Sequence, residues 1–180
     1  NPMVNPGAIA TVALVPGASP DERWELLRDG LSRFAGRPLG LDEEVLASAS
    51  ATNHRNRELV AALVEAGALL GDPAVALDVY TRQSCLRVTA EDLAAMGATL
   101  ANGGVNPRTG LRVVSEDSCH HTLVVMATAG LYETSGEWLY AVGLPGKSGS
   151  CAGIVPVPHG KGALATLSPL LDEAGNSIRG

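Results

Sequence analysis

Apolar residues recur at helical spacing along most of the chain before Gly130. The clearest case follows the segment Ser19–Glu22, where Ser19 can cap a helix and Pro20 suits its first position. The apolar residues at three- and four-residue intervals are Trp24, Leu27, Leu31 and Phe34. This pattern predicts an amphipathic helix that begins after Ser19, faces a core on one side and ends at Gly36.

Further helix starts divide the middle of the chain. Each is a residue whose side chain can accept a hydrogen bond from the first helical turn. They are Asp42, Asn53, Asp72 with Pro73, Thr89 with Asp92, and Ser115. The helix after Asn53 has an apolar stripe formed by Leu59, Leu63 and Val64. The small apolar segment from Met3 to Val15 fits either a buried helix or a strand.

The pattern changes towards the end of the chain, where two short strands are predicted. These are Ala152–Val157 and Ala163–Leu167, with a Pro-His-Gly-Lys-Gly turn between them. Helices followed by a hairpin predict an α+β fold, in which a helical subdomain packs beside an antiparallel sheet. With 180 residues, the chain has room for one domain, or for most of a slightly larger one.

Composition and charge exclude several classes of protein. Hydrophobic residues make up 46% and charged residues 18%, as in globular proteins, and no apolar run is long enough for a membrane span. The net charge of −6 and the scattered 13 Lys and Arg argue against nucleic-acid binding. Cys85, Cys119 and Cys151 fit neither a disulfide framework nor a zinc cluster, so we expect buried thiols and a reducing cytoplasm.

Four stretches carry polar residues where a plain core would carry Leu and Val. They are Asn1–Asn5, Asn53–Asn56, Tyr132–Glu137 and Lys147–Ser150. Taken singly, the asparagines fit helix caps or buried amides, and the tyrosines fit core rings with tethered hydroxyls. None of the four histidines has a partner at metal-ligand spacing, so no metal site is predicted.

The Lys147-Ser148-Gly149 triplet gains meaning from its place at the start of a strand. Penicillin-recognising enzymes and class A β-lactamases place a Lys-Thr-Gly or similar triplet on such a strand, facing a Ser-x-x-Lys nucleophile. That chemistry needs a serine activated by an adjacent base and backbone N–H donors for the oxyanion.

Several longer motifs closely resemble the bacterial and mitochondrial glutaminase family. In order, they are NPMVNPGAI, HRN, YTRQSCLRVT, DLAAMGATLANGGVNPRTG, GLYETSGEWLYAVGLPGKSGS and SPLLDEAGNSIRG. The resemblance runs from Asn1 to Gly180 and is weaker between Val15 and Leu46. It implies one partial domain with a β-lactamase/transpeptidase-like fold. It further implies hydrolysis of L-glutamine to L-glutamate and ammonia through an acylated serine, no metal or organic cofactor, and a homo-oligomer, commonly a dimer or tetramer.

The resemblance also implies roles for individual residues. Asn5 and Asn56 would contact the substrate. Tyr80 and Tyr132 would also contact it and lie beside the nucleophile, where one of them can relay its proton. Ser150 would contribute its backbone N–H to the oxyanion hole.

The chain departs from the family in five respects. Its only lysines are Lys147 and Lys161, and neither has a serine three residues before it, so the chain contains no Ser-x-x-Lys. In the family this motif precedes the Asn-Pro-Met-Val-Asn motif, and a terminal helix follows the last motif. We therefore expect a domain truncated at both ends, which alone would be inactive.

The other departures concern residues around the predicted site. Ala49 stands where the family carries a Glu that recognises the substrate's α-amino group. Ser150 replaces the usual Val, a mild change because the backbone supplies the donor. Pro6 replaces the usual Ala and removes a backbone donor beside Asn5.

Two alternatives to a working glutaminase stay open at this point. One is a related acyl transferase of the penicillin-binding or β-lactamase type, although the His-Arg-Asn and Tyr-Glu-Thr-Ser-Gly-Glu signatures speak against it. The other is an inactive glutaminase-like domain that binds amino acids or assembles with other chains, which Ala49 favours.

Overall fold

A computed structural model describes residues 1–180, which divide into two compact units. The first unit comprises Asn1–Leu31 and Leu39–Arg87, and the second comprises Ser32–Pro38 and Val88–Gly180. None of the helices is both long and apolar enough to cross a membrane.

The first unit is helical. Its elements are α1 (Asn5–Val12), most of α2 (Pro20–Ala35), α3 (Glu43–Thr52), α4 (His54–Glu65) and α5 (Pro73–Ser84). The segment that fitted either a helix or a strand is thus the helix α1, and it packs against α4 and α5. Buried Ile9, Ala13, Val60 and Ala76 form the core between these helices.

Most of the predicted capping residues act as caps. The Asp42 carboxylate accepts from the Val45 N–H at 3.1 Å, and the Asp72 carboxylate accepts from the Ala74 N–H at 2.8 Å. Asn53 lies at the N-cap of α4 without capping it, because its side-chain oxygen accepts instead from the Asn56 amide.

Two further expectations in this unit need correction. On α4, Val60 rather than Val64 is the buried valine, since Val64 is 48% exposed. Pro6 costs no hydrogen bond, because it lies in the first turn of α1, where a backbone N–H has no helical partner.

The second unit combines helices with a small sheet. Its elements are α6 (Ala90–Ala101), α7 (Glu116–Ala129), a 3₁₀ turn (Tyr132–Thr134), α8 (Ser135–Val142), β1 (Gly146–Ser148), β2 (Gly153–Pro156) and β3 (Thr166–Leu167). The antiparallel sheet has the order β1-β2-β3, with Lys147 opposite Val155 and Ile154 opposite Thr166. The predicted hairpin is confirmed, although its strands are shorter, and α8 was not predicted.

The helices of this unit lie beside the sheet, as predicted for an α+β fold. Helix α6 packs on β2, and α7 packs on both β1 and α8. At the end of α7, the Gly130 carbonyl accepts from the Ser148 N–H at 3.0 Å, which fixes β1 against the helix. This contact places the segment that follows β1 close to the turn that carries Tyr132.

A buried carboxylate holds the start of α6. Asp92 is 1% exposed and accepts from Arg37 Nε at 2.8 Å and from the Thr89 N–H at 2.8 Å. Chiefly because Arg37 donates to it, the pKa of Asp92 falls from 3.8 to about 2. The lowered pKa means that the ionised carboxylate stabilises the folded state.

We expect Asp92→Asn to lower the free energy of unfolding at neutral pH by about 2 kcal/mol. The wild-type contribution is present above the unfolded pKa near 4 and is lost as the pH falls through about 2. Urea denaturation at several pH values should therefore show a steeper acid loss for the wild type than for the variant. Asp117→Asn is the control, because that side chain is 83% exposed; equal losses for both variants would contradict the prediction.

Candidate active site

Asn5 and Asn56 lie together in the first unit, as the first residue of α1 and part of the first turn of α4. Asn5 Nδ2 donates to Asn56 Oδ1 at 3.1 Å, and Asn56 Nδ2 donates to Asn53 Oδ1 at 2.7 Å. Asn53 Nδ2 in turn donates to Thr81 Oγ1 at 2.8 Å. This chain of hydrogen bonds orients a row of amides, whose outer member, Asn5, is exposed to solvent.

Tyr80 lies on α5 next to the inner end of this row. Its half-buried ring packs against the core cluster of Ile9, Ala13, Val60 and Ala76. Its neighbour Thr81 receives the hydrogen bond from Asn53, so the tyrosine and the amides belong to one packed arrangement. The structure thus brings Asn5, Asn56 and Tyr80 into the same helical unit.

Tyr132 begins the 3₁₀ turn of the second unit in an unusual backbone conformation. Its φ of 53° lies in the left-handed region, which costs a bulky residue about 1–2 kcal/mol. Ser135 holds it there, since its hydroxyl donates to the Tyr132 carbonyl at 2.7 Å and accepts from the Leu131 N–H at 3.0 Å. Such strain is concentrated at functional sites.

Lys147 lies against Tyr132. Its ammonium is 5.1 Å from the centroid of the Tyr132 ring and donates to the Ser148 carbonyl. Burial lowers the pKa of Lys147, because a desolvated ammonium is less stable. Sequence reasoning gave Lys147 no role, although the Lys-Ser-Gly triplet contains it.

A tight turn connects β1 to β2 and carries Ser150. The Ala152 N–H donates to the Gly149 carbonyl at 2.9 Å, and the Gly149 N–H donates to the Gly153 carbonyl at 2.9 Å. The N–H groups of Ser150 and Cys151 have no partner within the chain. Successive free N–H groups in a turn can bind an anion or a developing oxyanion.

Ala152 closes this turn with a φ of 63°, so it is a second non-glycine residue of this unit in the left-handed region. Its side chain is only 6% exposed, so packing holds the residue in place. The structure therefore maintains the turn at a cost in free energy, as expected where the direction of backbone N–H groups matters.

The other nucleophilic and metal-binding candidates add little to this site. Cys85 and Cys119 are buried as expected, and burial raises the pKa of both thiols. Cys151 is exposed, contrary to expectation, because it lies at the outside of the β1–β2 turn. No group of three or more His, Cys, Asp or Glu side chains is placed to hold a metal ion.

Comparison with known proteins identifies the class to which this fold and site belong. The family model of glutaminases matches residues 1–180. Glutaminase 2 of Yersinia pestis is 63% identical over 180 residues, which are 100% of this chain and 53% of that protein. The glutaminase of Mycobacterium marinum is 48% identical over 179 residues, which are 99% of this chain and 56% of that protein.

Solved structures give the same result. The probable glutaminase YbaS superimposes with a TM-score of 0.97 at 45% identity, over 100% of this chain and 58% of that one. Bacillus subtilis glutaminase YbgJ, in a covalent complex with 5-oxo-L-norleucine, superimposes with a TM-score of 0.92 at 34% identity, over 99% of this chain and 63% of that one.

The chain therefore belongs to the glutaminase family, whose members are amidohydrolases with the β-lactamase-like fold. It spans about half the length of the curated relatives it matches. The resemblance and the fold class inferred from the sequence are both confirmed. These matches favour a glutaminase over an acyl transferase that acts on β-lactams.

Proposed function

We propose that these 180 residues form part of a glutaminase that hydrolyses L-glutamine to L-glutamate and ammonia through a serine acyl-enzyme. The match of the whole chain to the glutaminase family carries this proposal. The superposition on YbaS at a TM-score of 0.97 supports it, because the backbone that bears the site residues has the same course in both proteins.

Asn5, Asn56 and Tyr80 would contact the amino-acid end of the substrate. Glutamine carries an α-ammonium and an α-carboxylate, which fixed amide groups can satisfy as acceptors and donors. Asn5 and Asn56 are held by each other and by Asn53, so little side-chain entropy is lost on binding. Tyr80 would contribute its hydroxyl from α5.

Tyr132 and the Ser150 N–H would act on the reacting amide. A serine oxygen attacks the side-chain carbonyl carbon, and the carbonyl oxygen becomes an oxyanion that the Ser150 N–H stabilises. The C–N bond then breaks as a proton reaches the nitrogen, a transfer in which the Tyr132 hydroxyl is the proposed relay. Water releases glutamate from the ester, without a metal or organic cofactor.

The nucleophile in this proposal comes from polypeptide outside these residues, since the chain contains no Ser-x-x-Lys. The covalent complex of the B. subtilis relative formed by reaction with 6-diazo-5-oxo-L-norleucine, which resembles glutamine. A homo-oligomer and a cytoplasmic location belong to the same proposal and rest on family resemblance.

The direct test uses the protein translated from the complete reading frame that encodes these residues. Incubation with L-glutamine should release ammonia and glutamate in equal amounts, measured with coupled dehydrogenase assays. Binding of glutamine without ammonia release would instead support the second candidate function, an inactive glutaminase-like domain that binds amino acids.

The presence of Ala49 in place of the family's Glu favours this second candidate function. It is half-buried on α3, whereas Glu43 and Glu44 lie exposed in the first turn of that helix. No carboxylate therefore occupies the position at which the family recognises the α-amino group.

We expect Ala49→Glu to tighten glutamine binding about 10- to 100-fold, because a charge-assisted hydrogen bond to the α-ammonium is restored. Isothermal titration calorimetry of both proteins with L-glutamine measures this change. Ala51→Glu, at an exposed position on the same helix, is the control for added charge. Equal affinities for the Ala49 and Ala51 variants would count against this placement of the substrate.

A further inference from the structure

A buried amide links the two segments that carry the candidate site of the second unit. Asn176 is 4% exposed and belongs to the last glutaminase-like motif of the sequence, SPLLDEAGNSIRG, to which the proposed function gives no role. Its Oδ1 accepts from Ser148 Oγ at 2.5 Å, and its Nδ2 donates to Thr134 Oγ1 at 3.0 Å.

The two partners of Asn176 adjoin the proposed site residues. Ser148 is the last residue of β1 and immediately precedes the turn with the free Ser150 N–H. Thr134 ends the 3₁₀ turn that begins at Tyr132. The amide group of Asn176 therefore holds both the 3₁₀ turn that begins at Tyr132 and the β1–β2 turn that carries Ser150.

Asn176 is itself held firmly. Its backbone N–H donates to Asp172 Oδ1 at 2.8 Å, and this bond is the main reason that the pKa of Asp172 is lowered. A bridge between Leu171 and Ser177 closes the loop around it. The amide thus has little freedom to follow its partners if they move.

Only a group with one donor and one acceptor satisfies both partners. The Thr134 hydroxyl donates its proton to the Leu131 carbonyl at 2.8 Å, so it can only accept from residue 176. The Ser148 hydroxyl donates to Asn176 Oδ1 at 2.5 Å, and its other acceptor, the Gly130 carbonyl, is farther away at 3.4 Å. An asparagine meets both requirements, as does a protonated aspartic acid, whereas an ionised aspartate offers no donor.

We propose that Asn176 is a positioning residue that sets the placement of Tyr132 relative to the Ser150 N–H. This inference rests on the proposed function, because that function assigns the two groups to one substrate. The placement of the β1–β2 turn can be tested without substrate, because Cys151 lies next to Ser150 and its exposed thiol reports on this turn. Cys85 and Cys119 are buried.

The test is Asn176→Asp, examined at about pH 5 and about pH 8 by the rate at which Cys151 reacts with a dipyridyl disulfide. Burial and the nearby Asp172 carboxylate raise the pKa of the new carboxyl, so the neutral form that mimics asparagine predominates only in acid. We expect the rate to match wild type at the lower pH and to differ about tenfold at the higher pH.

Asn106→Asp is the matched control. Asn106 is also fully buried and also holds backbone groups, donating to the Arg33 and Phe34 carbonyls at 2.9 and 2.8 Å. This variant should lose stability at the higher pH in the same way, with no change in the rate at Cys151. Reaction of all three thiols in either variant would reveal unfolding rather than a displaced turn.

Ser148→Ala provides a second route if Asn176→Asp does not fold at the higher pH. It removes the donor to Asn176 without adding a charge, and the Cys151 rate should change in the same direction. The proposal would be overturned if the folded Asn176→Asp variant or the Ser148→Ala variant had a reduced melting temperature but an unchanged rate of reaction at Cys151. Asn176 would then be a purely structural residue.

Ligand binding separates this inference from the proposed function. Where wild type binds L-glutamate, Asn176→Asp should bind it about tenfold more weakly at about pH 8 and normally at about pH 5. No binding by wild type would count against the proposed function, while the thiol rates would still decide whether Asn176 fixes the turn.

Discussion

Replacing Ser150 with proline will lower kcat for glutamine about 100- to 1,000-fold in the protein from the complete reading frame. Ser150 follows Gly149 in the turn closed by the bond from the Ala152 N–H to the Gly149 carbonyl. Proline is favoured at this second position of a β-turn, so the substitution removes the N–H while it preserves the turn. The lost donor would otherwise stabilise the oxyanion of the transition state.

Ser150→Val is the matched control, because it changes the side chain to the one usual in the family and retains the N–H. Its kcat should stay close to that of wild type. Steady-state kinetics of ammonia release distinguish loss of transition-state stabilisation from loss of substrate binding. Loss of ground-state binding alone raises KM and leaves kcat unchanged. A proline variant with the kcat of the valine variant would remove Ser150 from the proposed oxyanion site.

Gly130→Ala will lower the free energy of unfolding by about 3 kcal/mol, because helix α7 and strand β1 approach too closely for a methyl group. A Cβ at Gly130 would lie 1.8 Å from the Gly146 carbonyl oxygen and 2.5 Å from the Met126 carbonyl oxygen. Both atoms belong to the backbone, so neither can rotate away. The strand would have to move, and the bond from the Ser148 N–H to the Gly130 carbonyl would weaken.

Gly136→Ala is the control for this substitution. Gly136 lies within α8, and a Cβ there would meet no atom within 4 Å apart from its chain neighbours and the backbone of its own helix. Since alanine favours a helix over glycine, this variant should gain up to about 1 kcal/mol. Urea denaturation with equal m-values measures both effects, and a Gly130 variant as stable as the Gly136 variant would refute the proposed close contact.

Helix boundaries could be predicted where a cap lies next to the helix that it starts. Thr89 and Asp92 bond to each other's backbone as their spacing predicts, and Ser115 accepts from the Ser118 N–H. Helix α8 was missed because Gly136 in its first turn interrupts the local helical pattern, and in the structure no side chain caps it. Its stability depends on packing against α7.

For the candidate site, the sequence likewise indicated the residues, whereas their contacts depend on the tertiary structure. Motif resemblance singled out Asn5, Asn56, Tyr80, Tyr132 and Ser150. The pairing of Asn5 with Asn56, across 51 positions of the chain, is visible only once α1 packs on α4. The position of the Lys147 ammonium over the Tyr132 ring likewise follows from a contact that no local pattern contains.

The sequence alone indicated the family through its motifs, and it predicted most helix starts, since a capping residue and the helix that it starts lie within about one turn of each other. Only the tertiary structure decided what Asn176 does, because its partners Ser148 and Thr134 lie 28 and 42 positions away. A hydrogen bond over such a separation forms only after the chain has packed, and its partners depend on every element in between.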